Sequence, residues 1–383
     1  MSKPAVLFEV WLIGVLVVSA NASHPVQQTS KGQTLFEERL IARVPRGVNM
    51  KWTDAATFSV DGTKVAYAAS RLGKEFVIVG DEIGPAFDGV DSPVFSLDAR
   101  RIAYAARSAN KQFIVADGNR GPDFEGAGFP VFSPDGNKLA YLAQEAGRAF
   151  IVINDIKGPG FDEVWPPVFS PDGKRMAYPA REGNSWSVVV DGSKQGEFDG
   201  VGNPSFSQDG SHIAYSARRS GKSSVLVDGR PGPEFGGIWS DIVFSHNGSQ
   251  IAYKGEQGCD GVLVFGEERF PGYCRCLSDI AISPDGGQVA YRALIGRRYF
   301  LCVGNKKGPE FSDVRSPVFS PNGKSVAYQA SRGWNEIIVA GQTKSPNFKY
   351  VGQPVFSPDG RKVAYGAVKV KEFWWKVMDV PAE

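Results

Sequence analysis

The sequence predicts an all-β fold, a β-propeller of four-stranded antiparallel blades. Three observations lead there. A ten-residue phrase closed by a tyrosine, Val131 to Tyr141, returns at Val168 to Tyr178, Val318 to Tyr328 and Val355 to Tyr365. Looser copies place its Phe-Ser pair (Ile-Ser once) at Phe58, Phe95, Phe132, Phe169, Phe206, Phe244, Ile282, Phe319 and Phe356, in steps of 37 residues apart from two of 38. A period of this size marks solenoids and propellers. Each unit also has β-branched and aromatic runs, dense Gly and Pro, and no stretch of helical period.

In chain order, Lys3 precedes an apolar run from Val10 to Ala20, and Ala20-Asn21-Ala22 forms a small-x-small pattern before Ser23. Residues 1–22 are therefore expected to be an export signal, with an uncleaved membrane anchor as the alternative. Residues 23–46 read as a linker. It is polar from His24 to Gln33, and its end, Thr34 to Val44, suits either a short helix or a strand. The propeller is expected over residues 47–383.

The unit around Phe169 shows the strands. Pro167 to Ser170 is a short first strand. Ser170-Pro171-Asp172-Gly173 is a tight turn, in which Pro presets φ, Asp suits the third position and Gly accepts positive φ. Arg175 to Ala180 is the second strand and Trp186 to Val190 the third. Gly196 to Val201 is a weaker fourth strand leading to Pro204. All nine second strands carry Ala-Tyr, where Ala lets sheets approach on one face and Tyr fills the other. Fourth strands carry Gly-Pro-x-Phe at Gly84, Gly121, Gly158, Gly232 and Gly308, and that Phe suits the gap between blades.

The ninth unit stops after its third strand, Phe373 to Met378. Gly47 to Met50 precedes the first Phe-Ser as a fourth strand would. An N-terminal strand beside Trp374 is thus expected to complete the last blade and close the ring, removing its edges. Nine blades follow, with eight as the alternative.

The phrase Phe-Ser-Pro-Asp-Gly-x-x-x-Ala-Tyr resembles the WD-like (PD-type) repeat of the TolB-family propellers, which also occurs in the propeller domains of prolyl oligopeptidase-type proteins. The match runs from about residue 47 to 380. It implies an exported, periplasmic chain that binds protein partners. That family also has a separate N-terminal α/β domain, for which residues 23–46 are too few.

Composition narrows the function classes. Net charge is +2 and no long run of one sign occurs, which excludes a strongly basic nucleic-acid-binding domain. No Gly-x-Ser-x-Gly elbow and no hydrolase domain accompany the repeats. His212 and His246 read as turn residues without a third ligand, and the repeated Asp-Gly lacks the spacing of a calcium loop. No metal and no cofactor are expected. Cys259, Cys274, Cys276 and Cys302 suit one or two local disulfides in an exported chain, or reduced buried thiols.

Candidate binding residues are sought where the units differ. Loops between second and third strands carry cations such as Arg71, Lys74, Arg148 and Arg298. Asp88, Asp162, Asp199 and Asp313 approach the same rim, and inter-blade ion pairs are the expected outcome. Segments joining fourth strands to the next blade are expected to rim the channel mouth with Asp91, Phe129, Trp165, Asn203, Trp239, Asp241, Arg315 and Gln353. Aromatic and Arg residues at a concave mouth are the types that dominate binding; for Trp165 and Trp239 the competing expectation is packing between blades. The expected function is a non-enzymatic, monomeric scaffold, periplasmic or secreted, for a protein or cell-envelope-associated partner. A carbohydrate-active lyase or glycosidase with acids at the channel mouth is the alternative, and a purely structural array the third.

Overall fold

A computed structural model describes residues 37–51, 56–238, 241–257, 260–271, 279–369 and 371–381. Their strands form nine antiparallel sheets, one per repeat, and no helix. The ring is a nine-bladed propeller. First strands of neighbouring blades touch one another, so they line the channel, and the fourth strands form the outer edge.

Blade 4 illustrates the unit. Its innermost strand comes in two halves, Glu163–Val164 and Val168–Phe169, which both pair with the second strand, Met176–Glu182. Ser185–Val190 and Ser193–Phe198 follow outward. The sequence reading gave Gly-Val pairs such as Gly200–Val201 to the fourth strand; pairing gives them to the innermost strand of the next blade. An interruption of the pairing explains the difference: the chain leaves the second strand and rejoins it, and in six blades the break holds a proline such as Pro167, which lacks an N–H. A single strand thus reads as two.

The recurring Ser-x-Asp-Gly turn is a structural device. Ser170 is fully buried; its Oγ donates to Asp172 Oδ1 at 2.6 Å and accepts from Arg175 N at 2.9 Å. Gly173, at φ 69°, donates to the Ser170 carbonyl at 2.8 Å. The bond from Ser170 holds the Asp172 carboxyl below the usual range. In blades 1 to 4 a cation then stitches the turn to the next: Lys64 to Ala99 O, Arg101 to Gly136 O, Lys138 to Gly173 O and Arg175 to Gly210 O, at 2.9–3.1 Å.

Blades meet through one aromatic pair. Phe161, Phe198, Phe235, Phe311 and Phe348 end fourth strands, and each stands edge-on to the Ala-Tyr tyrosine of the next blade, at 5.9–6.3 Å. These tyrosines are buried, and burial alone pushes Tyr178 and Tyr328 up to about 12.

The ring closes as expected in kind, with different residues. Arg39–Arg43 pairs with Glu372–Asp379, Leu40 opposite Trp374. Asn49–Met50 is instead the first half of blade 1's innermost strand. Residues assigned to the linker therefore complete the last blade. At this seam the blades interlock: a Cβ on Gly366 would lie 2.3 Å from the Phe58 ring, and one on Gly62 2.3 Å from Trp375. Phe58 also packs edge-on to Phe373 at 6.3 Å.

Gly366→Ala is therefore expected to cost about 1–3 kcal/mol, the range for overpacking a filled interior. Urea unfolding measures it. A variant as stable as the parent would mean that the seam is looser than these contacts require.

Candidate functional site

The expected binding residues lie in the break of the innermost strands, inside the ring, and not in loops at the channel mouth. In blade 2 the break is Asp91-Ser92-Pro93, between Gly89–Val90 and Val94–Phe95. The Asp91 amide bonds to Ala105 O, the middle of the second strand. The break thus sits at mid-height of the channel wall. Its residues escape the pleat and project from the wall, which is why they differ from blade to blade.

Structure divides these residues into two groups. Trp165, Arg315 and Lys51 occupy the same position in blades 4, 8 and 1, and each contacts its own blade's third strand. Trp165 packs edge-on to Trp186 at 5.2 Å and donates to Glu163 Oε1 at 3.0 Å. Arg315 pairs with Glu336, and with Asp313 at 3.2 Å. Lys51 pairs with Glu75 at 2.7 Å and also donates to Val90 O. Glu75 and Glu336 then accept from the backbone of the following blade, at Val90 N and Val351 N. An ion pair and an indole pair thus fill one structural role. Trp165 thus packs within its own blade, where the competing expectation was packing between blades.

In the second group, Asp91, Phe129, Asn203 and Asp241 are exposed to the channel, and Gln353 is half-buried. Phe129 stands out. Its φ is +56°, a conformation that bulky residues avoid, and it is 48% exposed. Trp239 lies outside the described residues.

Sequence reading missed a charged ladder on blades 7 and 8. Asp279 pairs with Arg292 at 3.5 Å, Arg292 with Asp313, Asp313 with Arg315, and Arg315 with Glu336. Asp279 also accepts from Ser316 N at 2.9 Å. Arg292 sits where other second strands carry Ala68 or Ala105, and that interruption of the repeat is the signal that finds it. Three channel carboxyls titrate high. Crowding by protein raises Asp241, unopposed by any charge. It also raises Asp91 and Asp279, against the pull of Lys51 and of Arg292 respectively. Asp91 and Asp241 touch water yet stand inside the ring, where protein replaces much of the solvent.

Outside the channel, Lys74–Asp88 at 2.6 Å and Arg148–Asp162 at 2.7 Å link neighbouring blades, as expected of the rim. His212 Nδ1 lies 2.6 Å from Asp228 as an exposed turn partner. Cys302 is a buried free thiol and joins no disulfide, because it packs in the core between blades 6 and 7. Cys259, Cys274 and Cys276 lie outside the described residues.

No protein-family model matches the chain, and no curated protein matches it. Among solved structures it is similar to TolB from Acinetobacter baumannii, at 22% identity and a TM-score of 0.33, over 54% of this chain and 60% of that one. The chain thus spans about 60% of the length of that TolB. It is also similar to the Dos1 propeller, at 10% identity and a TM-score of 0.45, over 91% of this chain and 96% of that one. A third similar structure is the β-propeller domain of the Trilobed protease from Pyrococcus furiosus, at 12% identity and a TM-score of 0.40, over 76% of this chain and 95% of that domain. The nine-bladed ring itself is established by the chain's own strand pairing.

Asp241 supplies a pH test. Its folded-state pKa is raised, so its ionised form opposes folding. Stability linked to it is present below the unfolded pKa of about 3.9 and lost as pH rises through the folded value. Asp241→Asn should raise the Tm at neutral pH and leave it unchanged below about pH 4. An unchanged Tm at both would mean that channel water hydrates this carboxylate fully.

Proposed function

We propose that the chain is a non-enzymatic propeller scaffold that binds a partner protein in its channel, with Phe129 as the apolar anchor. The observation that carries this reading is the conformation of Phe129. A left-handed backbone at a bulky residue costs on the order of 1–3 kcal/mol. Burial offsets such a cost where the ring packs, but this ring is half in water. A strained aromatic turned into a concave space is a pre-formed contact for another molecule, and aromatic side chains give large contact area at small entropic cost.

The surroundings support the same reading. Asp91 and Asn203 offer exposed polar groups in blades 2 and 5, on either side of Phe129 in blade 3. The ion pairs of blades 1, 7 and 8 hold their own charges and keep the ring rigid, so a partner meets a wall that does not reorganise. A periplasmic or secreted setting, and a cell-envelope-associated partner, belong to this reading through the resemblance of the repeat.

The carbohydrate-active alternative draws on Asp279 and Asp313, which both reach Arg292. Glycoside hydrolysis needs two available carboxyl groups about 5–10 Å apart. Here Arg292, Arg315 and Ser316 N take the oxygens, and the ladder is better read as a brace between blades.

The test compares immobilised parent protein with Phe129→Gly in capture from a cell-envelope extract. Glycine accepts positive φ without strain, so the variant should fold at least as stably. A partner retained by the parent should fall about tenfold or more on the variant, as truncating an interface anchor demands. Equal retention by a folded variant would sink the reading.

A further inference from the structure

Two of the most exposed large apolar side chains lie on one face of the ring, near its seam. Leu72 is 95% exposed and Trp334 is 92% exposed. Each sits at the tip of a hairpin joining second and third strands, in blades 1 and 8. Blade 9 lies between them, and its hairpin carries exposed Lys369 and Lys371.

Neither local structure nor packing accounts for Leu72. The turn Arg71-Leu72-Gly73-Lys74 has φ of 52° and 77° at its central residues, the mirror-image turn that favours Asn, Asp or Gly. A bulky residue there is strained and touches almost nothing. Such strain is a mark of contact made elsewhere.

Charge points to the kind of contact. Arg71, Arg332, Lys349, Lys369 and Lys371 are all exposed around these tips. Lys349 enters blade 9 at the position where blades 2, 4 and 5 carry Asp88, Asp162 and Asp199 and blade 3 carries Glu125. Blade 9 thus carries a cation at the position where blades 2 to 5 carry an acid. Nearby acids are engaged: Glu372 with Arg43 and Trp374, and Asp88 with Lys74.

We infer that this sector docks on the surface of an anionic lipid bilayer. The three hairpins close at equivalent registers, Arg332 opposite Asn335, Lys369 opposite Glu372 and Arg71 opposite Lys74. Their tips therefore stand at one height, and a plane touches all three together. Trp334 enters the headgroup region that tryptophan favours, Leu72 enters beside it, and the five cations face anionic headgroups. This inference is independent of the channel reading, because no channel residue takes part.

The experiment is co-sedimentation of the full chain with phosphatidylcholine vesicles carrying about 30% phosphatidylserine, at about 0.1 M salt, against pure phosphatidylcholine. The parent should bind the anionic vesicles, its tryptophan emission should shift to the blue, and high salt should weaken the binding. Trp334→Ser with Leu72→Ser should lower the bound fraction about tenfold, and Lys369→Glu with Lys371→Glu should do the same. All four positions are exposed, and an unchanged Tm confirms folding. No binding by the parent, equal binding to uncharged vesicles, or variants that bind like the parent would overturn the inference.

Discussion

The contact on which this ring depends is an edge-on pair of aromatic rings, repeated from blade to blade. A Phe at the end of one fourth strand meets the Tyr of the next second strand, as Phe198 meets Tyr215. The pair works because alanine stands beside the tyrosine on the opposite face. Ala214, for example, is fully buried and lets the following sheet approach. At the seam the same need for closeness goes further. Gly366 replaces the usual side chain so that Phe58 can lie against the backbone. A ring has no free end to absorb misfit, so the last junction must be packed as tightly as the others.

Proline imposes the second constraint, and function is read from its consequence. In six blades the innermost strand loses a hydrogen bond where proline sits, with Ala56, Ile242 and Ile280 there in the others, and the chain swells into the channel for about three residues. This is the one part of the blade with neither a ladder bond to keep nor a neighbour to fill. Residues there are free to vary, and they do: Asp91, Phe129, Trp165, Asn203 and Arg315 occupy corresponding breaks. Several of them are then recaptured by the fold. Lys51 and Arg315 each find a glutamate on the third strand, and Trp165 finds Trp186. Phe129 stands one residue further along: in its blade Gly128 holds the position of Trp165, and Ala149 that of Trp186. Comparison within the repeat thus separates residues that brace the ring from one that is left over.

The same logic governs charge. On the turn face, cations and carbonyls stitch the blades in sequence, and the turn aspartates are stabilised in their charged form by serine and backbone donors. In the channel, crowding by protein raises Asp91, Asp241 and Asp279, even where Arg292 faces Asp279. On the opposite face, Lys349 stands in blade 9 where blades 2 to 5 carry an acid. Opposite pKa directions in one chain follow from whether hydrogen bonds or desolvation dominate.

The sequence by itself determined the architecture. The 37-residue period, the Ser-x-Asp-Gly turn and the Ala-Tyr strand are local requirements repeated nine times, and local requirements are written in order along the chain. The existence of a closing N-terminal strand was legible for the same reason, since the last repeat is one strand short. Which strand closes the ring was not: Arg39–Arg43 carries no repeat signature and is chosen only by the edge that Glu372–Asp379 presents. The candidate residues were legible as the positions that differ, but their fates were not. Whether Trp165 is free depends on what the third strand offers beside it, a residue some twenty positions away in the chain and in contact only in the folded blade. The ladder from Asp279 to Glu336 joins two blades, and no pattern within one repeat contains it. Periodic packing is encoded locally. The chemistry of the channel arises between repeats, and only the tertiary structure decides it.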